Sequence, residues 1–130
     1  MADKHELIVR NIITSWSVNR RGRLYKMMQG TFKALYSDAI IRVSPYPGSR
    51  QKGFPDIFGF EFIPYCYYDN HQYKEKMIPV YCVIEVKTFA YPTVSDDQKN
   101  YLNYCNSIGG RAYLAREDNS REGYKLERWG

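Results

Sequence analysis

The chain of 130 residues contains little of what a disulfide framework, a zinc centre or a histidine-based active site would need. Its three cysteines, Cys66, Cys82 and Cys105, are widely spaced and form no C-x-x-C pair, which argues against disulfides and against zinc. We expect each to be a small buried hydrophobic residue in a reducing compartment. The two histidines, His5 and His71, leave little material for histidine-based chemistry, and His71 is predicted to lie in a turn.

Long hydrophobic runs are also missing. No stretch of about 18 apolar residues is present, so no transmembrane helix is expected. The charged N-terminus differs from the apolar core of a signal peptide, which makes secretion an unfavourable interpretation. With no repeat, low-complexity tract or linker, residues 1–130 are predicted to form a single domain.

Positive charge and tyrosine are the abundant features of the composition. The net charge is +5 and the chain contains thirteen tyrosines. This balance is compatible with a polyanionic partner, although many basic proteins bind nothing charged. Aromatic rings among Arg and Lys suit stacking on bases, but most of these rings are expected to fill the core or its rim.

The most informative stretch is Tyr81–Thr88, an apolar run rich in β-branched and aromatic residues that predicts a strand. Side chains alternate across a strand, so Glu85 and Lys87 share one face while positions 82, 84 and 86 point to the other. A carboxylate and an ammonium group on a rigid strand with a buried apolar back can fix a metal ion and a water molecule.

A second carboxylate is supplied upstream by the turn Gly53–Ile57, which contains Asp56. Residues 57–67 and 77–88 are predicted to form an antiparallel hairpin around the turn at 68–71. The outer ends of the two arms meet when the hairpin closes. Asp56 and Glu85 are therefore expected to lie a few ångströms apart.

Two helices are predicted from capping signals. Asp3 and Glu6 have the spacing of a capping box, followed by apolar positions at helical spacing over residues 3–16. Ser95 and Gln98 form a second capping box, and that helix is expected to end at Gly109–Gly110. Residues 30–36 fit a short helix or an irregular segment. Further strands are predicted at residues 39–43, 111–115 and 124–129.

The Arg and Lys side chains that precede Asp56 in the chain can be solvent-exposed surface residues or contacts to phosphate groups. Arg20, Arg21, Arg23 and Lys26 fit a solvated face and phosphate neutralisation equally well. Arg50 and Lys52 stand just before the first carboxylate, and phosphate contact is favoured for both. Glu6 fits a helix cap better than an active-site carboxylate on the residues alone.

Phosphodiester hydrolysis is the chemistry that this residue set can support. Mg²⁺ takes one or two protein carboxylates and keeps several waters, and Asp56 and Glu85 supply that minimum, with the backbone carbonyl of Val86 as a further ligand. Lys87 would orient or deprotonate the attacking water. The alternative is a surface ion pair between Glu85 and Lys87, worth less than about 1 kcal/mol.

Three motifs in order resemble the PD-(D/E)xK nuclease superfamily. They are Gly53-Phe54-Pro55-Asp56, Ile84-Glu85-Val86-Lys87-Thr88, and Ser95-x-x-Gln98-x-x-Tyr101-Leu102 followed by Gly109-Gly110. Within the superfamily, the chain is most similar to the VRR-NUC group in its small stand-alone phage and bacterial form. The similarity spans residues 53–115.

The resemblance implies an α/β (α+β) fold with a restriction-endonuclease-like core, a central mixed β-sheet flanked by helices. It implies Asp56 and Glu85 as ligands of Mg²⁺ or Mn²⁺, Lys87 as the catalytic lysine, and Gln98 near the site. With the resemblance included, Glu6 fits an active-site carboxylate slightly better than a helix cap. Candidate nucleic-acid contacts are Arg20, Arg21, Arg23, Arg50, Lys52, Lys99 and Tyr101.

The implied activity is a structure-specific DNA endonuclease, similar to Holliday-junction resolvases, that acts as a homodimer on branched DNA. A cytoplasmic location in a bacterial host or phage-infected cell follows from the same resemblance. Three alternatives stay open: a flap- or restriction-type nuclease, a catalytically idle DNA-binding module of the same fold, and a structural subunit whose charged residues are surface pairs.

Overall fold

A computed structural model describes residues 3–27 and 53–130 in full and the backbone of residues 30–33 and 40–43. The predicted strand at 39–43 is confirmed at its described positions, and Arg50 and Lys52 lie outside the described residues. The elements in chain order are α1 (Lys4–Val18), β1 (Gly22–Lys26), β2 (Gly30–Lys33), β3 (Ile40–Val43), β4 (Ile57–Asp69), β5 (Gln72–Lys87), α2 (Asp96–Ser107), β6 (Arg111–Glu117) and β7 (Tyr124–Arg128).

Five strands form one mixed sheet in the order β1-β4-β5-β6-β7. The β5–β6 pair is parallel and the other pairs are antiparallel. Parallel neighbours need a long crossover connection, which α2 provides here. β2 and β3 form a separate antiparallel pair. The predicted mixed sheet flanked by helices is confirmed.

The helices pack on opposite faces of this sheet, because strand side chains alternate between the two faces. On the α1 face, Ile8 and Ile12 pack with Ile84 in one buried cluster. On the α2 face, Leu102 packs with Val83 in the other. The predicted apolar back of β5 therefore lies against α1, while the odd-numbered positions of β5 face the side of α2.

The β4–β5 hairpin is longer than the rest of the sheet. Its register runs from Ile57 opposite Ile84 to Asp69 opposite Gln72. Asn70 and His71 both have positive φ, as a two-residue type I′ turn requires, so the predicted turn position of His71 is confirmed. β1 pairs only with residues 57–61 and β6 only with 82–87. Residues 62–81 thus form a two-stranded extension, here called the ribbon.

Local signals determine both helix starts. The Asp3 side chain accepts the Glu6 N–H at 2.8 Å, and the Ser95–Gln98 capping box is complete in both directions. Strand β1 was not predicted. Residues 30–33 are a strand, so both alternatives for residues 30–36, a short helix and an irregular segment, were wrong at these positions. Another expectation was wrong: Cys82 and Cys105 are buried, but Cys66 is exposed, because it lies on the ribbon beyond the core. No helix among the described residues is long and apolar enough to cross a membrane.

Candidate active site

The loop before β4 brings Asp56 to the end of β5. Gly53 has φ +79°, and a Cβ there would lie 2.3 Å from the Asp97 carbonyl, so only glycine lets the loop approach the start of α2. Phe54 packs its ring 4.9 Å from that of Tyr101. The Val86 N–H then donates to Asp56 Oδ2 at 2.9 Å. The hairpin register therefore places Asp56 beside Glu85, as the sequence predicts.

Glu85 is buried, with 3% of its surface exposed. Its Oε1 accepts a hydrogen bond from Gln98 Nε2 at 3.1 Å, and Lys87 Nζ lies 3.6 Å from the same oxygen. Burial raises the pKa of the Glu85 carboxyl to about 9, the nearby Asp56 carboxylate raises it as well, and Lys87 opposes both. A carboxyl of this kind carries a proton at neutral pH unless a cation takes its place.

The Gln98 side chain joins Glu85 to Lys87. Its Oε1 accepts from Lys87 Nζ at 2.8 Å and from the Ser95 N–H at 2.9 Å, while its Nε2 donates to Glu85. The Lys87 side chain is only 11% exposed. The capping box thus fixes the glutamine that orients both the predicted ligand and the predicted catalytic lysine.

His5 was given no role from the sequence, yet it contacts the site. Its Nε2 lies 3.3 Å from Asp56 Oδ2. The hydrogen bond to Asp56 raises the pKa of His5 despite partial burial. Burial opposes ionisation of Asp56, but the hydrogen bonds from His5 and the Val86 N–H hold its pKa below the usual value. The only sequence signal was its position in the first turn of α1, next to Glu6.

One oxygen of the two paired carboxyl groups is free to bind a hard divalent cation. Glu85 Oε2 is buried and is the one buried side-chain oxygen or nitrogen of the described residues with no hydrogen-bond partner. The neighbouring oxygen, Oε1, is held by Gln98 and Lys87. Without a cation, a proton on Glu85 is shared with Asp56, and this hydrogen bond helps to raise the pKa of Glu85. A cation between Asp56 and Glu85 would take the place of that proton and screen the two carboxylates from each other.

The same residues do not form a closed metal cage. Among the described residues, no group of three or more His, Cys, Asp and Glu side chains is arranged to hold a metal ion. Mg²⁺ commonly uses one or two carboxylates plus waters and phosphate oxygens, whereas zinc needs three or four protein ligands. Two carboxylates are enough to hold Mg²⁺ or Mn²⁺ in this way.

Glu6 lies next to His5 on α1 but points elsewhere. Its carboxylate accepts a hydrogen bond from Lys26 Nζ on β1. Its contacts within the described residues do not include Asp56, Glu85 or Lys87. The structure thus brings four of the five predicted catalytic residues together and places Glu6 at the edge of the site.

The described candidates for nucleic-acid contact differ in their surroundings. Arg21 donates to Glu61 and to Tyr113 and lies over the Trp16 ring, so its guanidinium group belongs to a structural network. Tyr101 is 4% exposed, and its ring has no surface for a base. The remaining three, Arg20, Arg23 and Lys99, are exposed.

Comparison with known proteins adds no identification. No protein-family model matches the chain, and no curated protein sequence is significantly similar to it.

Proposed function

We propose that the protein is a metal-dependent DNA endonuclease that hydrolyses phosphodiester bonds at the site formed by Asp56, Glu85, Lys87 and Gln98. The observation that carries the proposal is the pairing of two carboxylates around the unpartnered Glu85 Oε2, with a lysine held beside them by Gln98. A surface ion pair does not require this burial, and Glu85 has only 3% of its surface exposed.

Asp56, Glu85 and the Val86 backbone carbonyl would hold Mg²⁺ or Mn²⁺. When bound, the metal supplies Lewis acidity and lowers the pKa of a water molecule. Val86 and His5 donate to one oxygen of Asp56, which orients that carboxylate. Lys87 Nζ, held 2.8 Å from Gln98 Oε1, would orient the attacking water or accept its proton.

The proposed substrate is branched DNA, cut by a homodimer so that two sites act on two strands. The net charge of +5 suits a polyanion. Arg50, Lys52, Arg20 and Lys99 are the proposed phosphate contacts. Arg21 and Tyr101 are left out because the first is committed to Glu61 and the second is buried. Arg23 is left out because it lies beside the exposed ring of Phe60 on an aromatic face of the sheet.

A cleavage assay with Mg²⁺ or Mn²⁺ tests the proposal. The full chain is incubated with a four-way junction, a flap, a linear duplex and a single strand, each with labelled strands. We expect symmetric cuts in the junction and a loss of at least about 100-fold on Lys87→Ala, because general acid–base groups contribute 10²–10⁴ in rate. Lys125→Ala is the matched control, since Lys125 is exposed and its ion pair among residues 3–27 and 53–130 is with Glu127 on the same strand.

Each other result has a defined meaning. Cutting of flaps or linear duplex by the same residues would keep the active site and assign a flap- or restriction-type activity. Salt-sensitive junction binding without cutting would indicate the idle DNA-binding module. Cleavage that survives both Asp56→Ala and Lys87→Ala would rule the site out.

A further inference from the structure

One face of the ribbon exposes aromatic and apolar side chains that the fold does not cover. Even-numbered positions of β4 and odd-numbered positions of β5 share this face, which is also the α2 face of the sheet. The exposed fractions of its large hydrophobic side chains run from 40% at Phe62 to 76% at Tyr68. We call it the aromatic face; on the ribbon it consists of Phe62, Pro64, Cys66, Tyr68, Tyr73, Glu75, Met77 and Pro79, and it continues onto Phe60 in the adjoining sheet.

Prolines hinder the addition of a further strand to either edge of the ribbon, whereas nothing in the described fold covers the aromatic face. Each strand contains a proline, Pro64 in β4 and Pro79 in β5. Proline has no N–H to offer to an added strand, and it is a common device against edge-to-edge pairing. A partner would therefore pack on the face rather than extend the sheet.

The composition of the face favours a protein partner over nucleic acid. The centre of the face, formed by Phe62, Pro64, Met77 and Pro79, carries no charge. Depletion of charge with enrichment of aromatic residues and Met is typical of the core of a protein interface, whereas single-stranded nucleic acid is bound in a groove of cations.

Two opposite charges flank that centre. Arg23 on β1 is paired with Phe60 at the inner end of the ribbon. Glu75 on β5 is paired with Cys66 nearer the tip. A two-fold axis across the middle of the face would bring Arg23 of one copy to the end that carries Glu75 of the other. The face is thus complementary to itself in charge as well as in hydrophobicity.

We propose that the aromatic face is the homodimer interface, with two ribbons packed face to face and their tips pointing in opposite directions. Its four exposed rings, scaled by their exposed fractions of 40–76%, offer roughly 430 Å² per copy when a fully exposed aromatic side chain is taken as about 200 Å². With Met77, the prolines and the charged ends, two copies would bury about 1,200 Å², the lower end of specific interfaces. This inference gives the proposed homodimer its contact surface.

Sedimentation velocity of the full chain, without DNA or metal, tests the interface over a range of concentrations. We expect a dimer in the parent protein and a shift to monomer in both Arg23→Glu and Glu75→Arg. The double charge reversal should restore the dimer, because the pair is re-formed with exchanged signs. Lys125→Glu, a charge reversal at an exposed site on β7, should leave assembly unchanged.

Three results would overturn the interface. They are a parent protein that stays monomeric, a dimer that neither reversal weakens, and a double variant that remains monomeric while its thermal unfolding matches the parent. The double variant Phe62→Ser with Met77→Ser tests whether the face binds DNA instead of a second copy of the chain. If this variant loses DNA affinity but still forms a dimer, the aromatic face binds nucleic acid. Because no DNA or metal is present in the assembly measurement, its failure would leave the metal site and the cleavage chemistry untouched. A monomeric parent protein would also remove the homodimer from the proposed function, whereas a dimer that neither reversal weakens would overturn the interface alone.

Discussion

Gln98 shows how one neutral side chain can organise charged neighbours. Its amide nitrogen donates to the Glu85 carboxyl group and its amide oxygen accepts from the Lys87 ammonium group. A carboxylate or an ammonium group at this position would satisfy only one of the two. The site thereby keeps a lysine and a glutamate 3.6 Å apart without depending on their direct contact.

His5 provides the first prediction at this level. Asp56 Oδ2 accepts from both His5 and Val86, and removal of His5 takes away the one donor that α1 supplies to this carboxylate within the described part of the chain. Loss of a group that orients a metal ligand typically costs 10–100-fold in metal affinity. We expect His5→Ala to weaken Mn²⁺ binding about tenfold in a calorimetric titration and His5→Gln to recover part of that loss.

The second histidine supplies the matched control. His71 lies in the exposed turn at the tip of the hairpin, so His71→Ala should bind Mn²⁺ like the parent protein. Unchanged or tighter Mn²⁺ binding by His5→Ala would show that the contact with Asp56 plays no part in orienting it.

The sequence predicts those parts of the site whose signals are local. Alternation along β5 and the Ser95–Gln98 spacing are sufficient to place Glu85, Lys87 and Gln98. His5 could not be found in this way, because its partner Asp56 lies 51 residues along the chain and a histidine in the first turn of a helix has no distinctive pattern.

Among the elements, β1 was missed for a similar reason. Its five residues, Gly22–Lys26, include two cations and a glycine, which together read as a polar loop. Only pairing with β4 makes it a strand, and only the α1 face explains why Leu24 is buried. Long-range pairing, not local propensity, determines this strand.

The start of α2 carries the second prediction. The Ser95 hydroxyl accepts the Gln98 N–H at 3.2 Å, and removal of such an N-cap costs about 1 kcal/mol. We expect Ser95→Ala to lose that amount in urea unfolding and to lower the cleavage rate, because Gln98 is then less firmly held against Glu85 and Lys87.

Ser107→Ala is the comparison for this change, since that serine lies at the other end of α2 and donates to the Tyr104 carbonyl within the same helix. It should unfold and cut like the parent protein. If Ser95→Ala loses stability while cleavage is unchanged, the position of Gln98 does not depend on the cap.

The two faces of the sheet carry different kinds of polar group: the proposed catalytic residues lie on one face, and a buried network that stabilises the fold lies on the other. The α2 face carries Glu85 and Lys87, whereas the α1 face buries Glu61 among Arg21, Arg111 and Tyr113. Arg21 lies in the connection between α1 and β1, and Arg111 and Tyr113 lie on β6, so this one carboxylate on β4 ties the α1–β1 connection to β6. Removal of a partner from such a buried network typically costs about 1–3 kcal/mol.

This network supports a prediction about pH. Burial opposes ionisation of Glu61, but hydrogen bonds from Tyr113 and Arg21 outweigh it and lower its pKa below the usual value. A carboxyl with a lowered pKa in the folded state stabilises the fold above the unfolded pKa of about 4.3, and that stabilisation is lost as pH falls further.

Glu61→Gln should therefore unfold about 1–3 kcal/mol more easily than the parent protein at pH 7, and the difference should shrink below about pH 4. Urea unfolding at a series of pH values measures it. Glu127→Gln, which alters an exposed pair on β7, should follow the parent curve. A difference that is constant across the acidic range would show that the charge of Glu61 contributes nothing.

The length of the hairpin has a consequence for the order in which the molecule assembles. A hairpin with a two-residue turn closes first where its strands are nearest along the chain, at Asn70 and His71, and then extends outwards. Ile57 opposite Ile84 is the last of its paired positions, and Asp56 and Glu85 lie just beyond it. We therefore expect the two carboxylates to approach each other only after the other paired positions of the hairpin have formed. Their mutual repulsion would then slow the last step of hairpin closure and would not affect the turn region where closure starts.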